Sequence, residues 1–466
     1  MTSQAWHYLE LLELGHQIRA KKISPVEATL AQLARIEALD GRLGSYATLM
    51  AEDALADARR AETEIEQGHY RGPLHGVPLA VKDLCWTKGV PTAAGMPIHQ
   101  NFKPERDATV VRKLREAGAV ILGKLQLTEG AYASHHPQIR PPVNPWSPAH
   151  WSGASSSGSG VATAAGLCYG SLGSDTGGSI RFPSAANGCT GLKPTWGRVS
   201  RYGVFELGAT LDHIGPMARS AADAGAMLHV IAGADPEDPT ASQVPVPDYL
   251  GEMTQGLRGL RIGVDAHWNS EEVDETTRTM MSTVVETVAR LGGDLRAVTF
   301  PDPSQVIADW GPLCGVETAV AHENSYPARK AEYGPGFAKH IELGYRVSGL
   351  DYQKIILRRH DFTGRVAALF ESIDLLLIPT AGVASPTLAQ MAGIGSDPAL
   401  LSAILRFTCP FNMTGSPTLT LPSGFSPVRM PLAFQLVSRH FEEALLIRAG
   451  WAYQQETDWH TQHPVW

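Results

Sequence analysis

The 466-residue chain is poor in every feature that would mark it as an oxidised, basic or membrane-spanning protein. Cysteine is scarce. The five residues Cys85, Cys168, Cys189, Cys314 and Cys409 are odd in number and contain no CxxC pair. That excludes a disulfide framework and points to a reducing compartment. Each reads as a small buried hydrophobe. Positive charge is not in excess: 39 Lys and Arg stand against 47 Asp and Glu, a net charge of -8. A general nucleic-acid binder needs cations to neutralise phosphates and is excluded. Long apolar runs are missing too. The longest uncharged stretch, between Arg140 and Asp175, is full of Pro, Ser and Gly and makes a poor membrane span. The first 22 residues mix Glu and His into their apolar positions, and no small-residue cleavage site follows a hydrophobic run. No export signal is therefore expected. These absences leave a soluble cytoplasmic protein with neither a nucleic acid nor a membrane as partner.

What is present suits a protein with a large core: 43% hydrophobic and 18% charged residues. Ser24-Pro25-Val26-Glu27 opens a helix, with Ser24 as cap, Pro25 in the first turn and Glu27 closing a capping box. Val26, Leu30 and Leu33 then share a face, predicted to be apolar. Residues 50–67 read as a second helix. Strands are expected at 77–81, 119–122, 260–264, 375–378, 418–421 and 432–436. Helices are expected at 108–117, 276–291, 352–370 and 442–455. Such alternation predicts an α/β protein. No repeat, low-complexity tail or linker interrupts it, and 235–247 reads as a surface loop.

One block stands out. Gly153-Ala154-Ser155-Ser156-Ser157-Gly158 is followed by Ser174-Asp175-Thr176-Gly177-Gly178-Ser179-Ile180-Arg181. Glycine packs nothing and costs backbone entropy. Concentrated with serine, it suits a place where main-chain amides approach a ligand and hydroxyls are presented at fixed angles. Serine needs a base to become a nucleophile, yet no GxSxG elbow is present. Lys82 ends the apolar run Val77-Pro78-Leu79-Ala80-Val81, so it is expected to be buried. A lysine titrates at about 10.4 in water, and lowering that by about three units costs on the order of 4 kcal/mol. Asp83 alternates to the opposite face of a continuing strand and need not pair with Lys82.

Together these residues resemble the amidase signature family, which hydrolyses C–N bonds with a Ser–Ser–Lys triad. The similarity runs through nearly the whole chain: Gly76-Val77-Pro78, Asn144-Pro145-Trp146, Gly191-Leu192-Lys193-Pro194-Thr195, Gly197-Arg198-Val199-Ser200, Asp212-His213-Ile214-Gly215-Pro216, Phe411 to Pro417 and Thr457-Asp458-Trp459-His460. Each motif is weak alone; their order and spacing are specific. The resemblance implies that Ser179 attacks the carbonyl, Ser155 bridges it to Lys82, and Lys82 is the ultimate base. It implies an oxyanion hole from Thr176, Gly177, Gly178 and Ser179, with Asp175 and Arg181 as a supporting pair. Tyr132, Ala133 and Ser156 are implied as substrate-binding. The family usually has Gly where this chain has Ala154, and the peptide bond that follows is usually cis; Ala154-Ser155 is expected to be cis here too.

The implied architecture is a single large α/β/α layered domain over 1–466, with a central mixed, twisted sheet covered by helices. The catalytic core falls at about 72–220, and about 250–466 completes the sheet and the pocket. Relatives are often dimers, so a homodimer is an expectation, although no pattern fixes its interface. No metal or other cofactor is expected. His135-His136 is no metal pair, because adjacent residues on an extended segment point apart and no further ligand stands at suitable spacing. His213 reads as a packing residue, and Gly158 and Gly160 complete no dinucleotide loop.

Two kinds of relative share this scaffold: free-standing amidases, and the glutamine-hydrolysing component of the tRNA-dependent amidotransferase. The latter recognises a zwitterion with an Arg and an Asp. By resemblance these positions fall near Lys339-His340 and Leu405, so neither charge pattern is kept. A pocket for a free amino acid would then hold unpaired charge. A free-standing hydrolase of small, aryl or apolar amides, using water, is expected. Ester or aryl carbamate hydrolysis on the same acyl-serine, the glutamine-hydrolysing amidotransferase component, and a non-catalytic scaffold are the alternatives.

Overall fold

A computed structural model describes residues 3–465. One sheet of 11 strands runs through it, flanked by helices. The strands are β1 (Tyr46–Leu49), β2 (Pro78–Lys82), β3 (Val120–Leu125), β4 (Gly170–Asp175), β5 (Thr190–Lys193), β6 (His213–Ala218), β7 (Arg261–Val264), β8 (Asp294–Ala297), β9 (Leu375–Pro379), β10 (Thr418–Phe425) and β11 (Pro431–Ser438). Their spatial order is β1-β3-β2-β4-β6-β5-β10-β11-β9-β7-β8. Parallel pairs occupy both flanks: β3 with β2, β2 with β4, β9 with β7, and β7 with β8. Between them the successive pairs β4–β6, β6–β5, β5–β10, β10–β11 and β11–β9 are antiparallel, as is the edge pair β1–β3. The sheet is mixed, as the resemblance implied.

The inner strands are buried on both faces, so their sequences need not alternate. That is why Leu375-Leu376-Leu377-Ile378 reads as an unbroken apolar run. Every residue of β4 and β6 is likewise buried, yet neither strand was expected. Gly170-Ser171-Leu172-Gly173-Ser174-Asp175 has poor strand propensity. Close neighbours explain its small residues: a Cβ on Gly173 would lie 2.9 Å from Met217 Sδ and 3.0 Å from Ser156 Oγ.

The helices expected at 50–67, 108–117, 276–291, 352–370 and 442–455 are present as Ala51–Glu66, Thr109–Glu116, Glu275–Arg290, Gly349–Leu369 and Glu443–Glu456. The first long helix, Pro25–Leu43, starts as predicted. Ser24 Oγ accepts from the Glu27 amide at 3.0 Å, and the Glu27 carboxylate accepts from the Ser24 amide at 2.9 Å. Its buried face is centred elsewhere than expected. Leu30 is 51% exposed, while Ala28, Thr29, Gln32, Ile36, Leu39 and Leu43 are buried. Val26 and Leu33 are partly buried against the core and only Leu30 of the trio turns to solvent, because Ala28, Thr29 and Gln32 take the centre of the contact in the first turns and Ile36, Leu39 and Leu43 continue it. All five cysteines are buried and free. Among the described residues no helix is long and apolar enough to cross a membrane.

The capping box gives a clean test of local stability. Ser24→Ala removes one of two reciprocal bonds and is predicted to cost about 1 kcal/mol. A lowered urea midpoint with unchanged circular dichroism is the expected result.

Candidate active site

β2 and β4 are parallel neighbours, with Val81 opposite Leu172. Their C-terminal ends therefore carry Lys82, Ser174 and Asp175 to the same place. Lys82 is fully buried. Its Nζ lies 2.7 Å from Ser155 Oγ, 2.8 Å from Ser156 Oγ and 2.8 Å from Ser174 Oγ. Desolvation dominates the site and pulls the amine from its usual 10.5 to about 7, against Cys85, Asp175 and Asp212, which favour the charged form. Asp83 faces away, paired with Lys124 Nζ at 3.1 Å.

Ser155 and Ser156 enter the helix Ser157–Ala164, and the Ala154–Ser155 peptide bond is cis. Ser156 corrects one expectation. It is fully buried beneath the lysine and borders no cavity. Its hydroxyl donates to the Ser174 carbonyl at 3.1 Å and accepts from the Ser174 amide at 3.2 Å. It holds the amine in place and is out of reach of a substrate.

Ser179 is partly exposed and borders the cavity described below. Its carbonyl accepts from the Ser156 amide at 3.3 Å. The hydrogen bond of Ser155 Oγ ends at Lys82, and none runs on to Ser179 Oγ. The structure thus gathers the three side chains but links only two of them directly.

The turn before Ser179 is built on Asp175. Its carboxylate accepts from the Gly178 amide at 2.8 Å and from the Ile180 amide at 3.0 Å. The Gly178 amide is therefore already committed. Of the expected oxyanion donors, the Gly177 and Ser179 amides donate to no protein acceptor. The turn tolerates only glycine: Gly178 has φ +138, and a Cβ on Gly177 would lie 2.5 Å from the Trp310 ring. Trp310 Nε1 donates to the Thr176 carbonyl at 2.8 Å, and Thr176 Oγ1 donates to Asp212 at 2.6 Å.

Asp175 and Arg181 form the expected pair, both fully buried. Arg181 Nε and a terminal nitrogen reach the two carboxylate oxygens at 3.0 and 2.8 Å. Burial alone would raise the Asp175 pKa. The Arg181 charge and hydrogen bonds, with help from Lys193 and Asn412, hold it far below the usual carboxylate range. Asn412 is a residue whose role sequence reasoning missed. Its Oδ1 accepts from Arg181 at 2.6 Å and its Nδ2 donates to Asp175 Oδ1 at 2.9 Å. The Phe411-to-Pro417 motif contained it but revealed no partner 231 residues away. Ser174 was also missed as a lysine partner; its place beside the Lys82 strand end was the available signal.

A cavity of about 450 Å³ opens in front of Ser179. Tyr132, Ala133, Trp151, Phe182, Trp310 and Leu405 line it, together with Thr176 and Gly177. Among the described residues no Asp, Glu, Lys or Arg borders it. Tyr132 and Ala133, expected to bind substrate, are among these lining residues. Lys339 is exposed away from the cavity, while His340 is buried and stacks on Tyr132 with ring centres 3.9 Å apart. His213 is buried, its Nδ1 donating to carbonyls of Leu211 and Asp175 at 2.6 and 3.1 Å, as befits a packing residue. His136 Nδ1 accepts from the Gln138 amide at 3.1 Å. Among the described residues no group of His, Cys, Asp or Glu has a metal-holding arrangement.

The amidase family profile matches residues 27–447. The chain is 50% identical over 457 residues to AmiD of Mycobacterium tuberculosis, assigned by name as an amidase; the match covers 98% of this chain and 96% of that one. It is 39% identical over 484 residues to the GatA-type glutamyl-tRNA(Gln) amidotransferase chain of Chloroflexus aurantiacus, covering 98% of each. The peptide amidase of Stenotrophomonas maltophilia superposes with a TM-score of 0.82 at 30% identity, covering 96% of each chain.

The Asp175–Arg181 pair should carry the nucleophile turn. Arg181→Met is predicted to cost roughly 3–5 kcal/mol, because it leaves a carboxylate buried without its cation. The double variant Asp175→Asn/Arg181→Met should recover part of that loss, as read from urea midpoints in a double-mutant cycle.

Proposed function

The chain belongs to the amidase family, is an amidase-type hydrolase, and from that premise we propose that it is free-standing, hydrolysing small, aryl or apolar amides through Ser179, Ser155 and Lys82. The observation that carries this reading is the buried Lys82 amine, held within hydrogen-bond distance of three hydroxyls and lowered to about 7. A neutral amine has two N–H donors and one lone pair. The Ser156 hydrogen is committed to the Ser174 carbonyl, so toward the lysine Ser156 is an acceptor. The Ser155 and Ser174 hydroxyls each bond to the amine alone; the proposed relay takes the lone pair for the Ser155 hydroxyl and leaves Ser174 to accept the second N–H.

The proposed steps follow from that arrangement. As Ser179 Oγ attacks the substrate carbonyl carbon, its proton passes to Ser155 Oγ and the Ser155 proton passes to Lys82 Nζ. Substrate must bring Ser179 Oγ onto Ser155 Oγ; catalytic hydrogen bonds commonly tighten only in the reactant complex. The carbonyl oxygen, now an anion, meets the amides of Gly177 and Ser179. The chain of hydroxyls then returns a proton to the leaving nitrogen, the C–N bond breaks, and an acyl-serine remains. Water attacks the acyl carbon by the same relay, releasing the acid and restoring Ser179.

The uncharged cavity lining supports an apolar substrate over free glutamine, whose zwitterion would be left without counter-charges. Esters and aryl carbamates pass through the same acyl-serine, since only the leaving group differs. The same mechanism predicts no cofactor, and the substrate's other partner is water.

Rates on anilides, aliphatic amides, esters, aryl carbamates and glutamine test the substrate class. Turnover of glutamine alone, and only with added partner proteins, would overturn it. Ser179→Ala is expected to abolish both turnover and fluorophosphonate labelling; equal labelling of that variant would favour a scaffold. Lys82→Ala should lower kcat/KM by roughly 10²–10⁴-fold with circular dichroism preserved. The pH profile has a definite sign. Below pH 7 the amine is protonated and cannot accept, so kcat/KM should rise with pH through an apparent pKa of about 7. A flat profile from pH 5 to 9 would refute the lysine base.

A further inference from the structure

Among the described residues His135 is the one histidine that borders the catalytic cavity, and its two ring nitrogens have different surroundings. Nε2 lies 3.1 Å from Ser157 Oγ. Ser157 is fully buried and follows directly on Ser155 and Ser156 at the start of the helix Ser157–Ala164. This contact is the single hydrogen bond of its hydroxyl. Nδ1 has no protein partner, yet it is not among the enclosed polar atoms that lack one. It is therefore accessible, on a ring that lines the cavity.

Counting hydrogens fixes the tautomer. Burial lowers the His135 pKa to about 4, so the neutral ring carries one N–H. If Nε2 carried it, Nε2 would donate to Ser157 Oγ, and the buried serine hydrogen would have no acceptor. A buried donor without a partner bears its full desolvation cost. In the other tautomer the Ser157 hydroxyl donates to Nε2, every buried hydrogen is used, and the ring proton sits on Nδ1. Of the other polar side chains in the lining, the Tyr132 and Ser134 hydroxyls have no hydrogen-bond partner among the described residues either, and Ser179 is the proposed nucleophile. Thr176 Oγ1, Trp310 Nε1, Ser152 Oγ and Thr128 Oγ1 all donate to protein acceptors.

We propose that His135 is a specificity-determining residue, which presents a neutral Nδ1–H donor to the cavity and selects substrates that carry an uncharged hydrogen-bond acceptor, such as a ring nitrogen, ether or carbonyl, on the part lying beside it. Ser157 is its positioning residue, fixing the tautomer from behind. The inference rests on reading this cavity as the substrate pocket. It adds to that reading one donor whose direction is fixed from behind by Ser157, in an enclosure without formal charge: a site with a fixed donor discriminates against an analogue that lacks the acceptor more strongly than apolar walls discriminate by size.

Benzanilide and its pyridyl counterparts form a matched set, in which one ring C–H is replaced by an acceptor nitrogen at nearly constant size. Calorimetric binding to the full-length Ser179→Ala protein, which does not turn over, reads the preference directly. At least one pyridyl isomer is expected to bind about tenfold more tightly than benzanilide. Adding His135→Leu should bring that ratio within about twofold, His135→Asn should retain part of it through its amide donor, and Ser157→Ala should reduce it by releasing the tautomer. Equal affinities across the set, no binding by any isomer, or a preference that survives His135→Leu would overturn the inference. Turnover of the same compounds by the wild-type protein separates the two readings: hydrolysis with no dependence on His135 sinks this inference alone, whereas His135-dependent binding without hydrolysis sinks the catalytic reading alone.

Discussion

The site depends on keeping the Lys82 amine uncharged inside the protein. An ammonium taken from water into an apolar interior must find counter-charge or give up its proton. Three buried lysines show how the surroundings decide between these outcomes. Lys124 faces the Asp83 carboxylate at 3.1 Å and also donates to Thr92. Lys193 reaches only the Pro194 carbonyl at 3.1 Å, and burial pushes its pKa far down. Lys82 alone is ringed by hydroxyls. A hydroxyl differs from a carboxylate in carrying a proton of its own, so it can give to the amine as well as receive from it. On the proposed mechanism that difference makes the cage around Lys82 a proton path, where the Lys124 contact is an ion pair.

The cage exists because two strand ends meet. The parallel register of β2 and β4 sets Lys82 beside Ser174, and the helix Ser157–Ala164 begins where Ser155 and Ser156 close the remaining sides. One residue further along β4, Asp175 turns the chain by accepting the Gly178 and Ile180 amides. Arg181 and Asn412 hold that carboxylate, and Asn412 comes from the far end of the chain, just before β10. The turn that presents Ser179 is thus braced by the last third of the molecule. This explains why a site drawn from 82–181 needs the whole layered fold.

Local patterning made much of this legible. Ser24-Pro25-Val26-Glu27 named its helix start, the run ending at Lys82 its strand, and the crowding of Gly and Ser the place of the turn. What stayed hidden was hidden for physical reasons. β4 and β6 lack strand-forming side chains because neighbouring atoms lie too close for larger ones; contacts across the sheet override propensity there. The helix Ser304–Ala321, which contributes Trp310 to the turn, carries an internal Pro312 that argues against a helix locally. Ser156 looked like a substrate residue because it adjoins Ser155. One step along the chain reversed its direction, and it lies under the lysine instead of facing the cavity. The tie between Asn412 and Asp175 spans 237 residues, and no short-range pattern carries such a contact.

The apolar cavity and the uncharged lysine are two sides of one constraint. A substrate carboxylate brought into a water-poor pocket interacts strongly with any nearby amine: at an effective dielectric near 20, unit charges about 4 Å apart attract by about 4 kcal/mol. Such an anion would favour the ammonium form of Lys82 and stall the proton relay at neutral pH, unless a separate cation held it. Among the described residues no Arg or Lys borders this cavity, so the nearest unsatisfied cation for an anionic substrate would be the base itself. An enclosure of Trp151, Phe182, Trp310 and Leu405 avoids that competition by admitting neutral groups. On the proposed mechanism, selectivity by charge and activation of the nucleophile are therefore not independent. A lining that excludes ions would also leave the amine near its lowered pKa of about 7 and able to accept a proton.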